Sequence, residues 1–308
     1  MNRTISDLLA VGGVFLLLLA FCASGWLALP HEAGGFSAIL PAAGIILANC
    51  VLLFLVNERM LSGSSLLAGA IYLLLAAARP EALAYTPLHA ASLLLAFSLT
   101  AYLFFNAEGA SLKHLVAAWA GLGAAALLAP PLAWLIPVYA VSSVGKAEEK
   151  FKFWVAALLS LLLPLAVWCG ISYLRGSESP LEILRGLWDG MCAVQRPVFH
   201  YPAASLCRLL LTAVAVVLAV IHVAARLDRY KTAQSRACLR LILMTFVLCL
   251  VTVLFFNRPG IPSGLVTALP VAPLLAEYFS HHVRGKGTGT LAVILILLLL
   301  AERVSYFV

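Results

Sequence analysis

The segment FWVAALLSLLLPLAVWCGISYL, residues 153–174, contains no charged side chain. Basic residues stand on both sides of it, Lys152 before its first residue and Arg175 after its last. At a rise of 1.5 Å per residue, a helix of this length spans about 33 Å, close to the roughly 30 Å thickness of a bilayer's hydrocarbon core. The segment therefore predicts a transmembrane helix.

The composition of the whole chain agrees with that prediction. Of the 308 residues, 63% are hydrophobic and 11% are charged, and the mean hydropathy is +1.04. Soluble domains contain roughly 45–50% apolar and about 25% charged residues, so a soluble core cannot absorb this much apolar sequence. We expect an all-α, polytopic transmembrane helical bundle that forms a single integral membrane domain over residues 1–308.

The apolar runs predict about eleven transmembrane spans, within a range of about 9–12. The first run is too long for the hydrophobic region of a signal peptide, so we expect an uncleaved first helix. The short runs 64–78 and 130–144 are expected either to cross fully or to form tilted, broken or re-entrant helices shielded by protein. The predicted spans are 8–29, 37–56, 64–78, 87–106, 112–128, 130–144, 153–174, 205–225, 240–256, 263–280 and 290–308.

The distribution of basic residues predicts the orientation of the bundle. With a cytoplasmic N-terminus, thirteen of the twenty Lys and Arg residues, including all six Lys, fall in the inner loops. This asymmetry is what the positive-inside rule requires. The strongest basic block, Arg226 to Arg240, suits anionic lipid headgroups, and we expect membrane lipids rather than nucleic acid as partners. The predicted location is the bacterial inner (cytoplasmic) membrane, with many passes.

The loops predicted to face outward hold most of the candidate site residues. Arginine suits phosphate because its planar guanidinium donates paired hydrogen bonds, and a carboxylate nearby can act as a base. The structural alternative is that loops collect polar residues and that arginines extend to the interface. The candidate catalytic residues are Glu32, as base, and His31, and the candidate substrate-binding residues are Arg79, Glu81, Arg196, His200 and Arg258.

Charged residues also fall within or near the predicted spans. Glu302 and Arg303 follow about twelve residues of the last span, which places them roughly 18 Å into the bilayer. Charge at that depth is costly and indicates function or pairing; Arg303 can extend outward, whereas Glu302 needs a partner or a proton. Glu277 and His281, four residues apart on one helix face, are expected to relay protons or, as the simpler alternative, to occupy the inner interface.

The large outer loop, residues 174–204, predicts a short amphipathic helix over about 180–190. Ser179 is placed to cap it, Pro180 to begin it and Glu182 to complete a capping box. We expect this helix to lie in the outer membrane interface, where it roofs a site or guides lipid, unless helix packing alone accounts for it. The apolar residues expected on one side are Leu181, Leu184, Leu187, Trp188 and Met191.

The cysteines and the known catalytic motifs indicate little chemistry. The seven cysteines form no CxxC pair and no Cys/His metal spacing, so we expect no metal and no cofactor. Cys192 and Cys207 are predicted to be two free thiols, with a disulfide as the alternative. HExxH, GxSxG and the phosphate-binding loop are absent, which disfavours zinc proteases, serine hydrolases and pumps.

Two central stretches carry a resemblance to a known family. YTPLHAASLLLAFSLTAYLFF (85–105) and AAWAGLGAAALLAPPLAWLIPVYAVSS (117–143) resemble the central helices of GT-C-type glycosyltransferases, and the whole chain is similar to an uncharacterised family of bacterial polytopic inner-membrane proteins. The resemblance implies a polyprenyl-phosphate sugar as substrate at the outer face and an acidic residue after the first helix as base, a position that Glu32 matches. The loop that holds Glu32 is shorter than the family's, and the family's aspartate-rich motif is absent.

Three functions remain open from the sequence. In the first, a glycosyltransferase of envelope biogenesis uses Glu32 to activate an acceptor hydroxyl while Arg79 or Arg258 holds the departing phosphate of a lipid-linked sugar. In the second, a non-catalytic scaffold or assembly subunit stabilises a membrane-protein complex. In the third, a lipid or solute transporter uses Glu302. An arginine-lined pocket open sideways favours the first, a filled bundle with an exposed apolar flank the second, and a two-sided path the third.

Overall fold

The computed structural model describes residues 35–61, 65–77, 80–107, 111–143, 150–176, 179–194, 203–230, 232–256 and 260–282. Within these ranges the chain forms α-helices and short 3-10 helices and no strand, so the all-α prediction is confirmed for this part of the chain. The α-helices are α1 (Gly35–Met60), α2 (Ser65–Ala76), α3 (Pro87–Ala107), α4 (Leu112–Leu128), α5 (Ile136–Ser143), α6 (Lys150–Arg175), α7 (Pro180–Cys192), α8 (Ala203–Ala225), α9 (Thr232–Phe255) and α10 (Gly264–His282). The 3-10 helices are Pro80–Leu83, Pro130–Leu135 and Leu227–Arg229.

Five of the described helices are long and apolar enough to cross a membrane, as a membrane protein requires. Shorter apolar helices lie between them, and the predicted spans 8–29 and 290–308 lie outside the described residues. The count of about eleven spans therefore stays a prediction. The five long segments are Ile39–Met60, Pro87–Phe105, Phe151–Arg175, Leu206–Ala225 and Gln234–Phe255.

Two of the predicted short spans form short or interrupted helices. The 12 residues of α2 rise by about 18 Å, less than the thickness of a hydrocarbon core. The run that begins at Pro130 forms a six-residue 3-10 helix before α5. Pro130 and Pro131 have no amide hydrogen to continue the α4 hydrogen-bond pattern, which explains why α4 ends at Leu128. Of the alternatives considered for residues 130–144, a broken helix is the one that the structure shows.

Small residues in and around α4 allow the helices to approach closely. A Cβ atom on Gly123 would collide with the backbone carbonyl oxygen of Leu161 in α6. A Cβ on Gly121 would lie 3.0 Å from the Cβ of Ser98 in α3. A Cβ on Gly264, at the start of α10, would lie 2.9 Å from the Leu75 carbonyl oxygen. These close approaches place α4 between α3 and α6, and the start of α10 against α2.

The interior of the bundle is filled by large side chains. Trp119, Tyr102 and Tyr139 are fully buried, and the ring centroids of Tyr102 and Tyr139 lie 4.2 Å apart. Helix α10 lies at the centre, because nearly all of its residues between 265 and 279 are buried. Its two internal prolines, Pro270 and Pro273, are tolerated where neighbouring helices enclose the backbone. The described part of the bundle is thus a packed core.

Helices α6 and α8 lie at the edge of the described bundle. In the apolar 18-residue stretch of each of these helices only 17% of the residues are buried, compared with 72% in the corresponding stretch of α3. Their exposed residues are mainly Leu, Val and Ile, which suits contact with lipid or with other protein. These two helices therefore present apolar faces in the part of the chain that the structure describes.

Candidate functional site

Among the sequence-predicted site residues, Glu81 lies in the described part of the chain. The charge distribution predicts that the ends of α2, α4, α6, α9 and the start of α10 face outward, and we call this the outer end; the opposite end is the inner end. The following predicted site residues lie outside the described residues: His31, Glu32, Arg79, Arg196, His200, Arg258, Glu302 and Arg303.

Glu81 lies in the 3-10 helix Pro80–Leu83 between α2 and α3. Its Oε2 atom is buried and makes no hydrogen bond to any residue that the structure describes. The same segment is held by His89, because the His89 Nε2 atom lies 2.7 Å from the Ala82 carbonyl oxygen and the Thr86 amide donates to Nδ1 at 3.1 Å. A neutral imidazole with its proton on Nε2 satisfies both contacts. Glu81 is therefore a half-buried acceptor on a segment that is fixed in place.

A buried polar chain runs inward from His89. Ser92 Oγ donates to the His89 carbonyl oxygen at 2.7 Å and accepts from Asn49 Nδ2 at 3.1 Å. Asn49 Nδ2 also donates to the Tyr72 hydroxyl at 2.8 Å, and that hydroxyl donates to the Leu265 carbonyl oxygen at 3.2 Å. This chain ties α1, α2, α3 and α10 together. The sequence analysis missed it, although an asparagine inside an apolar run was the available signal.

A cavity of about 580 Å³ opens at the outer end beneath α7, and we call it the lateral groove. It lies between α7, the end of α4 and the outer half of α6, which is a candidate membrane-crossing helix. Its lining has one charged residue and no arginine, so the expected arginine-lined pocket is not what this groove provides. The lining residues are Leu127, Pro130, Trp168, Glu182, Ile183, Gly186 and Leu187.

The position of α7 explains why the groove is open. At its start, the predicted capping box is confirmed: the Glu182 amide donates to Ser179 Oγ at 3.3 Å, and the Ser179 amide donates to Glu182 Oε2 at 2.8 Å. At its end, a Cβ on Gly190 would lie 2.9 Å from Pro130, and Trp134 Nε1 donates to the Met191 carbonyl oxygen at 3.2 Å. Contacts at the C-terminal end thus hold α7 against the bundle, while its first half covers the groove.

The apolar side of α7 only partly faces the bundle. Leu181 is 75% exposed, Leu184 47% and Trp188 65%, whereas Ile183 is buried at 7%. The side of α7 that faces the bundle is formed by Ile183, Leu187 and Gly190. This side is rotated about the helix axis from the apolar stripe that the sequence predicts. Helix packing alone leaves the exposed leucines and the indole unexplained, and such side chains suit a membrane interface.

Glu182 gives the groove a fixed negative charge. The hydrogen bond from the Ser179 amide stabilises the ionised carboxylate and holds the pKa of Glu182 below its ordinary value. That bond uses Oε2, so Oε1 keeps its capacity to accept hydrogen bonds. The groove therefore combines five apolar side chains, a largely polar exposed surface and one oriented carboxylate.

The inner end has a different arrangement, centred on Glu277. This residue is fully buried, and the Tyr230 hydroxyl donates to its Oε1 atom at 2.9 Å. Because α10 is enclosed by its neighbours, Glu277 faces neither lipid nor water, and its position at the depth of the inner interface stays a prediction. Burial and the Glu277 carboxylate raise the pKa of Tyr230 above its ordinary value. The guanidinium of Arg240 lies 5.3 Å from the ring centroid of Tyr102.

Other sequence predictions have simpler outcomes. Cys192 and Cys207 are exposed free thiols, which is the first of the two alternatives considered. In the described ranges no three His, Cys, Asp or Glu side chains are grouped as metal ligands would be. His281 lies at the end of α10, and its side chain is outside the described part of the structure.

The outer end thus contains the lateral groove, the Glu182 carboxylate and the fixed Glu81 segment. No protein-family model matches the chain, and no curated protein or solved structure matches it either.

Proposed function

We propose that the protein is a multi-pass inner-membrane protein of envelope biogenesis that binds an amphipathic lipid substrate at its outer end. The observation that carries this proposal is the lateral groove beneath α7. Its volume of about 580 Å³ lies within the roughly 300–1,000 Å³ typical of small-molecule sites. Five of its seven lining residues have apolar side chains that can contact a lipid chain, while polar atoms form most of the surface that the cavity exposes, which suits an amphipathic ligand.

The location of the groove supports a lipid rather than a water-soluble ligand. One wall is formed by Trp168 of α6, which is half exposed on a helix long enough to cross a membrane. A lipid chain can enter such a groove from the side without passing through water. The exposed apolar side chains of α7, described above, would hold the roof at headgroup depth.

The outer loops would then handle the headgroup. Glu81 offers a buried oxygen that needs a hydrogen-bond donor, because an unsatisfied buried acceptor costs about 1–3 kcal/mol. In the enzymatic form that the GT-C resemblance implies, Glu32 with His31 beside it activates the acceptor, and a polyprenyl-phosphate sugar is the donor. Arg79, Arg196, His200 and Arg258 would bind its phosphate and sugar.

A second function has a specific observation in its favour. The core of the described bundle is filled, and α6 and α8 present apolar faces at its edge. A non-catalytic scaffold or assembly subunit would use such faces to contact other membrane proteins. This function predicts no specific occupant of the lateral groove, which separates the two proposals.

Native mass spectrometry of the purified protein with lipids retained tests the lipid-binding proposal. Gly186→Leu places a large side chain in the groove, and a Cβ at this position meets no atom within 4 Å, so α7 should fold normally. Gly170→Leu is the matched control, since Gly170 is also an exposed helical glycine with open space around it. We expect a defined lipid adduct on the wild type and on Gly170→Leu that is lost in Gly186→Leu. The same bulk phospholipid on all three proteins would overturn the proposal and favour the scaffold.

The enzymatic form needs its own variants. Glu32→Gln should keep the bound lipid and lose glycosyl transfer, whereas Arg79→Ala should lose a bound polyprenyl phosphate. Full transfer activity in Glu32→Gln would exclude Glu32 as the base while leaving lipid binding in place.

A further inference from the structure

Helix α7 carries charges of both signs on its exposed surface. Glu182 and Arg185 are exposed and stand three residues apart, which makes their side chains neighbours on the helix surface. In the described part of the chain, neither charge takes part in an ion pair. With Asp189, α7 has two carboxylates and one guanidinium, and so a net charge of −1.

This pattern disfavours a purely anionic headgroup at the groove. The amides at a helix N-terminus often attract phosphate, but here the capping box of Ser179 and Glu182 occupies that end of α7. A phosphate at the mouth of the groove would instead meet the Glu182 carboxylate, which is exposed and therefore ionised at neutral pH. An ammonium group would be attracted to the same position.

We infer that the lateral groove selects a zwitterionic aminophospholipid, with its ammonium donating to Glu182, its phosphate near Arg185 and one acyl chain beneath α7. The opposite charges of Glu182 and Arg185, one helical turn apart, match the ammonium and phosphate of such a headgroup. The lining of Leu127, Ile183 and Leu187 accepts the chain. This inference rests on the proposed function in requiring a lipid in the groove, and it excludes the enzymatic form in which a polyprenyl-phosphate sugar is that lipid.

The test is a lipid competition in nanodiscs that contain phosphatidylethanolamine and phosphatidylglycerol in equal amounts, read by native mass spectrometry of retained lipids. Wild-type protein should retain the ethanolamine lipid about tenfold over the glycerol lipid, which corresponds to about 1.4 kcal/mol. Glu182→Gln should abolish this preference, because the amide still accepts the capping hydrogen bond but carries no charge. Asp189→Asn removes an equal charge about two helical turns from Glu182, at a residue that does not line the groove, and should leave the preference intact.

The possible outcomes distinguish a failure of the aminophospholipid assignment from a failure of lipid binding in the groove. Equal retention of both lipids by wild type, a preference unchanged in Glu182→Gln, or a polyprenyl phosphate as the retained lipid would each overturn the aminophospholipid assignment. A lipid adduct that survives Gly186→Leu would instead overturn binding in the groove. Far-ultraviolet circular dichroism of each variant checks that the helices are retained.

Discussion

The two ends of the bundle treat a carboxylate in opposite ways. At the inner end Glu277 is fully buried, and a tyrosine hydroxyl from a loop 47 residues away in the chain reaches it. At the outer end Glu182 is exposed at the mouth of a cavity, and its hydrogen-bond partner is a backbone amide three residues away. One carboxylate closes a packed end, and the other stands beside an open groove.

The comparison shows how the surroundings of a carboxylate decide what it can do. A buried carboxylate needs a donor from the protein itself, so Glu277 is tied to Tyr230 and its role is to hold the α8–α9 connection against α10. Glu182 is exposed, its own helix cap lowers the pKa of its carboxyl group, and it retains an oxygen for a ligand. The structural contact of Glu277 and the proposed ligand-binding role of Glu182 thus fall at opposite ends of the same bundle.

The largest expected effect comes from disturbing the contact between α4 and α6 beside the lateral groove. Gly123→Ala puts a methyl group against the backbone of Leu161, so α4 and α6 must separate. We expect a loss of about 1–3 kcal/mol in stability, typical of overpacking, and a weaker lipid adduct because α6 is a wall of the groove. Thermal unfolding in detergent measures the stability. Gly170→Ala, on the exposed side of α6, should change it by less than about 0.5 kcal/mol, and equal stability of the two variants would contradict close α4–α6 packing.

The next effect concerns the closed end alone. Tyr230→Phe removes the hydroxyl that donates to Glu277 and leaves a buried carboxylate oxygen without that donor. We expect a loss of about 1–3 kcal/mol in the same unfolding assay, with the lipid adduct of the outer end unchanged. Tyr85→Phe is the control, since Tyr85 is an exposed tyrosine at the outer end. A loss of lipid in Tyr230→Phe would show that the two ends are coupled.

The same pair predicts a dependence of stability on pH. An unfolded tyrosine ionises near pH 10, whereas the raised pKa of Tyr230 keeps the folded hydroxyl protonated above that pH. The contribution of Tyr230 is therefore complete below about pH 10 and decreases as the pH rises towards the folded pKa. Thermal unfolding between about pH 8 and 11 should show a steeper decrease for the wild type than for Tyr230→Phe. Parallel curves would contradict the hydrogen bond to Glu277.

The smallest expected effect concerns the capping box at the start of α7, at the outer end. Ser179→Ala removes the side-chain acceptor of the capping box and should destabilise α7 locally by about 1 kcal/mol. Hydrogen–deuterium exchange should become faster in residues 180–187 and stay unchanged in α9 and α10. Ser179→Asp restores an acceptor and should restore slow exchange. Unchanged exchange in Ser179→Ala would mean that contacts with Pro130 and Trp134 alone hold the helix.

The sequence by itself determined the features that depend on neighbouring residues. Apolar runs predicted helices because a chain in lipid must satisfy its backbone hydrogen bonds internally. Ser179, Pro180 and Glu182 predicted the start of α7, since a capping box needs only four consecutive residues. The end of α4 has an equally local cause, because Pro130 and Pro131 lack an amide hydrogen.

Only the tertiary structure decided which distant residues meet. The hydrogen bond between Tyr230 and Glu277 and the polar chain from Asn49 to Leu265 join segments far apart in sequence, so no local pattern contains them. The lateral groove likewise depends on where α7 touches Pro130 and where it stands clear of α6. Side-chain shape and helix packing set these distances, and for that reason Glu277 became a structural residue while Glu182 was left beside a cavity.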